Sequence, residues 1–306
     1  MKKIYIAFTI LILLFFAAGI LYLLNRPSDY QAHFTVKTTR DIVYYNLHNW
    51  DFWNRNHLNA EIEILNTVPV SSISQKVTLQ DTTLIFKWEF EKLNDSSTLV
   101  RVFVSDPERK VYNRLTIPFR NTTFRKSVRR NLIDIITRME SLLKTFKYEF
   151  KGIYHFDKRA CVYISLNCSI RDKARTMIAN VAELNQFVRQ NKLGLNGSPF
   201  LVIHDWHDSN DSIKFDFCFP IADTNNIPEH PKIKFMTVDD MNALKTDFFG
   251  NYGISDITWY DLKEEAEKMG YRSNNKIIEV YRNDPHNGGN ELEWKAEIYL
   301  GIGSFE

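Results

Sequence analysis

The chain is poor in cysteine, proline and glycine, and it has almost no excess of either charge. It has three cysteines in 306 residues, too few for a disulfide scaffold, and their odd number leaves at least one thiol free. No CxxC pair is present, so a structural zinc site is not expected. The 39 basic and 37 acidic side chains nearly cancel, which excludes nucleic-acid binding by bulk charge alone. Apolar residues make up 44% of the chain, as in folded globular proteins.

The N-terminus carries an uninterrupted apolar run. Residues 4–24 contain no charged side chain, and Lys2 and Lys3 precede them. A run of this length predicts a helix that spans a bilayer, and the positive-inside rule places the remaining domains outside the cytoplasmic membrane. The sequence therefore predicts a single-pass membrane protein, anchored by residues 1–26, with its bulk in the periplasm. A cleaved signal peptide and a buried core helix are the alternatives.

Residues 27–148 read as strands enclosed by two helices. A short helix is expected over 41–53 and strands over 60–65, 74–79, 83–93, 98–105 and 111–117, with a polar hairpin turn at 92–97. A long helix follows, because apolar residues recur at steps of three and four from Val128 to Phe146. This order resembles the SRPBCC superfamily, the START and polyketide-cyclase-like helix-grip fold. The resemblance implies a cavity between sheet and helix; a filled core is the alternative.

Residues 109–130 carry eight basic side chains and no acidic one. A nucleic-acid interface would need such a patch, but a solvated face, or a face against anionic lipid, is the simpler interpretation. Nucleic acid is therefore not an expected partner.

Residues 149–306 read as the same β-α-β-β pattern twice. The first copy has strands over 160–166, 200–206 and 213–220 and a helix over 172–190. The second has strands over 242–249, 276–282 and 293–300 and a helix over 256–268, begun by Asp256 as N-cap and ended by Gly270. The repetition predicts a pseudo-two-fold unit with a cleft between the copies. The fold class predicted for the whole chain is α+β: a transmembrane helix, a helix-grip domain and this duplicated domain.

The second copy carries the motif Glu279-Val280-Tyr281-Arg282-Asn283-Asp284-Pro285 and the terminal Glu297-Ile298-Tyr299. With Gly250-Asn251-Tyr252 and the Trp259 helix, these segments resemble the GyrI-like small-molecule-binding domain, the effector-binding domain of multidrug-responsive regulators. The resemblance implies a cleft with aromatic walls and a buried glutamate that binds bulky, often cationic, aromatic ligands. Some members hydrolyse small electrophiles with a cleft glutamate. Gly301 replaces the usual proline after the last strand, and no helix-turn-helix is found, which argues against a transcription factor.

The candidate ligand-binding residues follow from strand alternation. Glu297 and Tyr299 share one face of a strand, as do Glu279 and Tyr281, and Trp259 lies on the predicted helix 256–268. A carboxylate beside aromatic rings attracts an organic cation, and burial would raise its pKa enough to make it a general base. The alternatives are glutamates that face solvent, with the aromatic residues only packing.

Three functions stay open at this point. The leading hypothesis is a membrane-anchored protein that binds a hydrophobic or cationic aromatic molecule. The second is a hydrolase with Glu297 as base, and the third is a non-catalytic envelope interaction protein. No cofactor is expected. No metal is expected either, because the pattern His204-Asp205-Trp206-His207-Asp208 fits a polar turn better than a metal site.

Overall fold

The computed structural model describes residues 2–48, 60–79, 82–94, 96–207, 212–222, 224, 227–283, 285 and 288–304. The chain forms two compact units, Met1–Glu140 and Ser141–Glu306. Each contains one antiparallel sheet, so the α+β class with two sheets is confirmed.

The N-terminal apolar run forms helix α1, Lys2–Leu24. Among the described residues, however, no helix has the length and apolar character needed to cross a membrane. The predictions of a transmembrane helix over 4–24 and of a single-pass membrane protein with periplasmic domains are therefore wrong.

The sheet of the N-terminal unit has the order β1-β5-β4-β3-β2. Its strands are β1 (Tyr30–Val36), β2 (Ala60–Val68), β3 (Ser72–Leu79), β4 (Thr82–Asn94) and β5 (Ser97–Ser105). Helix α2 (Arg40–His48) packs on β3, β4 and β5. The predicted strands 60–65, 74–79, 83–93 and 98–105 are confirmed; β1 was not predicted, and residues 49–53 of the predicted first helix lie outside the described residues.

A buried polar chain joins α2 to this sheet. Trp88 Nε1 donates to Gln75 Oε1 at 2.9 Å, and Gln75 Nε2 donates to the Leu47 carbonyl at 2.7 Å. Trp88 and Gln75 are both fully buried. The side-chain polar atoms of Trp88 and Gln75 that form these two hydrogen bonds are thus paired, and they are buried without leaving an unsatisfied donor or acceptor.

The predicted strand over 111–117 is wrong, since Lys110–Thr116 forms helix α3. Asp106 explains the difference: its Oδ1 accepts from the backbone N–H groups of Glu108 and Arg109, both at 3.0 Å, and turns the chain away from an extended path. Arg114 on α3 then donates to the buried Asp29 carboxylate at 2.9 Å. The Arg114–Asp29 pair joins residues 85 positions apart in sequence and leaves no trace in local periodicity.

Helix α4 (Thr123–Leu142) follows α3 and carries the predicted apolar stripe. Its buried side chains are Val128, Leu132, Ile135, Met139 and Leu142. Phe146, predicted as the last residue of this helix, instead begins a strand of the second unit.

The sheet of the C-terminal unit has eight strands in the order β10-β7-β9-β8-β12-β13-β11-β6. They are β6 (Phe146–Phe156), β7 (Arg159–Ser169), β8 (Phe200–His207), β9 (Ser212–Pro220), β10 (Lys234–Val238), β11 (Met241–Gly250), β12 (Tyr271–Tyr281) and β13 (Lys295–Ser304). Helices α5 (Lys173–Gln190) and α6 (Trp259–Lys268) lie between them in sequence. All six predicted strands and both predicted helices are present; β6 and β10 were not predicted.

The strand order shows the duplication directly. The first copy is β7-α5-β8-β9 and the second is β11-α6-β12-β13, and their middle strands β8 and β12 pair at the centre of the sheet. Outward from that pair, one half continues with β9 and then β7, and the other with the corresponding strands β13 and then β11. A pseudo-two-fold axis therefore passes between β8 and β12. Only two residues separate β6 from β7, although these strands lie near opposite edges of the sheet. The sheet must therefore curl strongly, since so short a link spans only about 10 Å.

Candidate functional site

A cleft in the described part of the C-terminal unit has a volume of about 1250 Å³. One wall is helix α5, and the opposite wall is made of strand β9 and of the segments that flank β12 and β13. Its apolar and aromatic lining consists mainly of Met177, Ile178, Val181, Leu195, Phe217, Phe219, Tyr252, Tyr281 and Trp294. This volume is ample for a drug-sized molecule, and such sites are usually apolar with a few polar groups.

Helix α5 presents one face to the cleft because its lining residues recur with helical spacing. Ala174, Met177, Ile178 and Val181 lie along that face, one turn above another. Ile178 is 58% exposed, and across the cleft Leu195 is 54% exposed. The cleft therefore offers apolar surface that no described residue covers.

The chain turns sharply where β11 leaves the sheet beside the cleft. Gly250 has φ +153°, and a Cβ there would stand 2.8 Å from the Phe146 Cβ, so a glycine is required. Asn251 Oδ1 accepts from the Gly253 N–H at 2.9 Å and starts the 3₁₀ turn Tyr252–Thr258 that leads into α6. This turn sets Tyr252 in the cleft wall.

Four side chains surround the carboxylate of Glu279 beneath the cleft. Trp259 Nε1 donates to it at 2.8 Å and the Tyr281 hydroxyl at 2.5 Å. Lys173 Nζ stands 3.1 Å from Oε2, and Ser255 Oγ stands 2.9 Å from Oε1. Glu279 is fully buried and is not among the cleft-lining residues, so Tyr281 separates it from the open space.

Lys173 supplies the positive charge in this network. It is fully buried, contacts both Glu279 and Asp256 (3.3 Å), and its Nζ lies 4.9 Å from the Trp259 ring centroid. Burial disfavours its charged form, but the two carboxylates outweigh burial and raise the pKa of Lys173. Burial in turn raises the pKa of Asp256, against the opposing effect of Lys173, and burial together with Glu279 raises the pKa of Tyr281 well above its usual value.

Glu297 and Tyr299 lie on the other face of the sheet. Glu279 pairs with Ile298 across β12 and β13, so side chains of the neighbouring Glu297 and Tyr299 point away from it. Glu297 accepts from Arg282 at 2.6 Å and from the Tyr299 hydroxyl at 3.0 Å, and Lys245 and Lys295 each lie 3.2 Å away.

The cations around Glu297 determine its protonation. Burial alone would raise its pKa, but hydrogen bonds from Arg282 and Tyr299, with the charges of Arg282 and Lys245, lower the pKa to about 2. A carboxylate with so low a pKa is a weak base at neutral pH. Burial and the Glu297 charge raise the pKa of Tyr299.

The structure thus divides the five predicted ligand-binding residues between two faces. Glu279, Tyr281 and Trp259 contact one another on the helix-covered face, whereas Glu297 and Tyr299 contact each other on the opposite one. Tyr281 lines the cleft itself. Sequence reasoning missed Lys173, because a lysine in the first turn of a helix carries no signal that distinguishes it from a solvated one.

The histidine-rich segment contains no metal site among its described residues. His204 Nε2 lies 2.6 Å from Asp216 Oδ2, and Ser165 Oγ donates to Asp216 Oδ1 at 2.6 Å. A polar turn was expected over residues 204–208. The structure instead continues strand β8 through His207, and Asp208 lies outside the described residues. Nowhere in the described ranges do three or more potential metal ligands cluster.

Comparison with known proteins gives one family match: residues 153–302 match the model of the GyrI-like small molecule binding domain. The comparison with curated proteins gave no match.

The chain is similar to several solved structures. The crystal structure of the EcmrR C-terminal domain is 20% identical with a TM-score of 0.44, over 52% of this chain and 99% of that one. The structure of SAV2435 bound to tetraphenylphosphonium is 11% identical with a TM-score of 0.34, over 51% and 94%. Polyketide cyclase-like proteins also occur among the similar structures; DynU16, from the dynemicin biosynthetic locus, is 11% identical with a TM-score of 0.29, over 90% and 87%. The family match confirms the predicted GyrI-like small molecule binding domain over residues 153–302.

Proposed function

We propose that the C-terminal unit binds a small hydrophobic molecule, aromatic in part, in the cleft beside helix α5. The observation that carries this proposal is the uncovered apolar surface of Ile178 and Leu195 in a cleft of about 1250 Å³ walled by aromatic rings. Burial of apolar ligand area against these walls supplies the driving force, at about 25 cal/mol per Å² before the cost of association. Tyr281, Tyr252 and Trp294 offer ring faces and edges for an aromatic group.

Binding is favoured over hydrolysis by the state of both glutamates. Glu297 is held ionised by the cations around it, on the sheet face opposite Tyr281 and the cleft. Glu279 accepts hydrogen bonds from four side chains and has its charge balanced by Lys173. Glu297 is therefore a weak base at neutral pH, and Glu279 is buried and does not line the cleft, so neither carboxylate is placed to act as a general base there. We accordingly assign the unit a binding role, with Tyr281 as the ligand contact nearest to Glu279.

A charge placed in the apolar wall should weaken binding of an uncharged probe. We expect Ile178→Lys to reduce the affinity of the full chain for the neutral dye N-phenyl-1-naphthylamine about tenfold, because an ammonium in the cleft must stay hydrated. Dye fluorescence during titration measures the affinity.

Ile153→Lys is the matched control. Ile153 is 50% exposed on β6 and does not line the cleft, so its replacement should leave dye affinity within about twofold of the wild type. Absence of dye binding by the wild type, or equal affinity of the Ile178→Lys variant, would contradict the proposed function.

A further inference from the structure

The described residues that line the cleft include two full charges, both positive: Arg189 and Arg282. Arg282 is compensated, since its guanidinium donates to Glu297 at 2.6 Å. No described carboxylate lies within ion-pairing distance of Arg189, which is exposed at the C-terminal end of α5. Among the described residues that line the cleft, Arg189 is thus the charged side chain that remains available to pair with a ligand.

The buried acidic network does not offset this positive charge. The negative charge of Glu279 is matched by Lys173 at 3.1 Å, and the Tyr281 hydroxyl stands between Glu279 and the cleft. Asp256 also lies 3.3 Å from Lys173, and neither buried carboxylate is among the described residues that line the cleft. A cationic ligand would therefore meet no unmatched carboxylate on the described cleft wall.

Polarity changes along the length of the cleft. On the N-terminal half of α5 the lining is apolar, with Ala174, Met177, Ile178 and Val181. On the C-terminal half Ala182 is followed by polar residues only: Asn185, Gln186, Arg189 and Gln190. The helical rise places Met177 and Arg189 about 18 Å apart. Tyr281 lies at the apolar end, since its hydroxyl stands 3.7 Å from Met177 Sδ.

We propose that the ligand is an elongated amphiphilic anion, with an apolar or aromatic body and an acidic group bound by Arg189. The inference rests on the proposed function and adds the sign of the ligand's charge and its orientation in the cleft. The body lies against Met177, Ile178 and Tyr281, and a carboxylate or similar group at the other end accepts hydrogen bonds from the guanidinium and from the neighbouring side-chain amides.

Three probes that differ only in their head group test the proposal: ω-phenyloctanoate, ω-phenyloctanol and ω-phenyloctylammonium. Their affinities for the full chain are measured by isothermal titration calorimetry at low ionic strength, because salt screens an exposed charge pair. We expect the carboxylate to bind about tenfold more tightly than the ammonium, with the alcohol between them. In Arg189→Gln the carboxylate should lose most of that advantage, and the alcohol should change by less than about twofold.

Arg175→Gln is the matched control, because it removes the same charge from the same helix at a position outside the cleft, where Arg175 pairs with Asp172. It should leave all three affinities nearly unchanged. Tighter binding of the ammonium than of the carboxylate, or an equal loss for all three probes in Arg189→Gln, would overturn the inference and leave the proposed function in place. Failure of all three probes to bind would count against the proposed function itself.

Discussion

Replacing Lys173 with methionine should destabilise the C-terminal unit by about 3–5 kcal/mol. The substitution keeps most of the apolar stem but leaves the carboxylates of Glu279 and Asp256 buried without their cation. An uncompensated buried charge must either stay ionised in a poorly polar environment or take up a proton, and both cost free energy. Mass spectrometry of the full chain can follow hydrogen exchange in β12 peptides as the urea concentration is raised. The dependence on urea gives the free energy of unfolding of the C-terminal unit.

Two further variants separate charge balance from packing. In the double variant Lys173→Met, Glu279→Gln, one of the two stranded charges is gone, so part of the lost stability should return. Lys268→Met breaks partly exposed pairs with Glu264 and Glu265 on the helix surface and should cost less than about 0.5 kcal/mol. A cost below about 1 kcal/mol for Lys173→Met, or no recovery in the double variant, would show that Lys173 does not compensate this network.

Glu297 should make the stability of the same unit depend on pH in the acid range. Its pKa is about 2 in the folded unit against 4.5 when unperturbed, so the folded state favours the ionised form. The stabilisation is fully present above about pH 5 and is lost as pH falls toward 2. Because the surrounding cations are partly exposed, solvent screens their interaction with Glu297. We therefore expect Glu297 to contribute about 2 kcal/mol to the free energy of unfolding, less than the full pKa shift would give.

The variant Glu297→Gln should accordingly be about 2 kcal/mol less stable than the wild type at pH 7, with a difference that narrows between pH 5 and pH 3. Urea unfolding at a series of pH values measures it. The exposed Glu267 on α6 provides the control. The free energy of unfolding of Glu267→Gln should differ from that of the wild type by the same amount at every pH. A difference between Glu297→Gln and the wild type that stays constant from pH 7 to pH 3 would refute the assigned ionisation.

Local periodicity predicted much of the fold, and its failures have identifiable causes. The apolar stripe of α4 and the alternation in β4 and β5 arise from neighbouring residues, so the sequence displays them. Helix α3 was misread as a strand for two reasons. The Asp106 side chain accepts from the Glu108 and Arg109 N–H groups and turns the chain, and the Arg114–Asp29 pair joins residues far apart in sequence. The anchor prediction failed because an apolar run was equated with a membrane span, and no described helix meets the requirements for one.

The two β-α-β-β copies and the pairing of Glu279 with Tyr281 and of Glu297 with Tyr299 could be predicted from the sequence, because each depends on spacing along one strand or helix. The GyrI-like domain was predicted from the resemblance carried by residues 279–285 and 297–299. That these two pairs lie on opposite faces of one sheet follows from how the strands pair in three dimensions. Strand alternation fixes which residues share a face, but long-range hydrogen bonding between β12 and β13 and the position of the helices fix which face borders the cleft. The same long-range packing brings Lys173, 106 residues away in sequence, to Glu279. Among the described residues that line the cleft, it leaves the charge of Arg189 uncompensated.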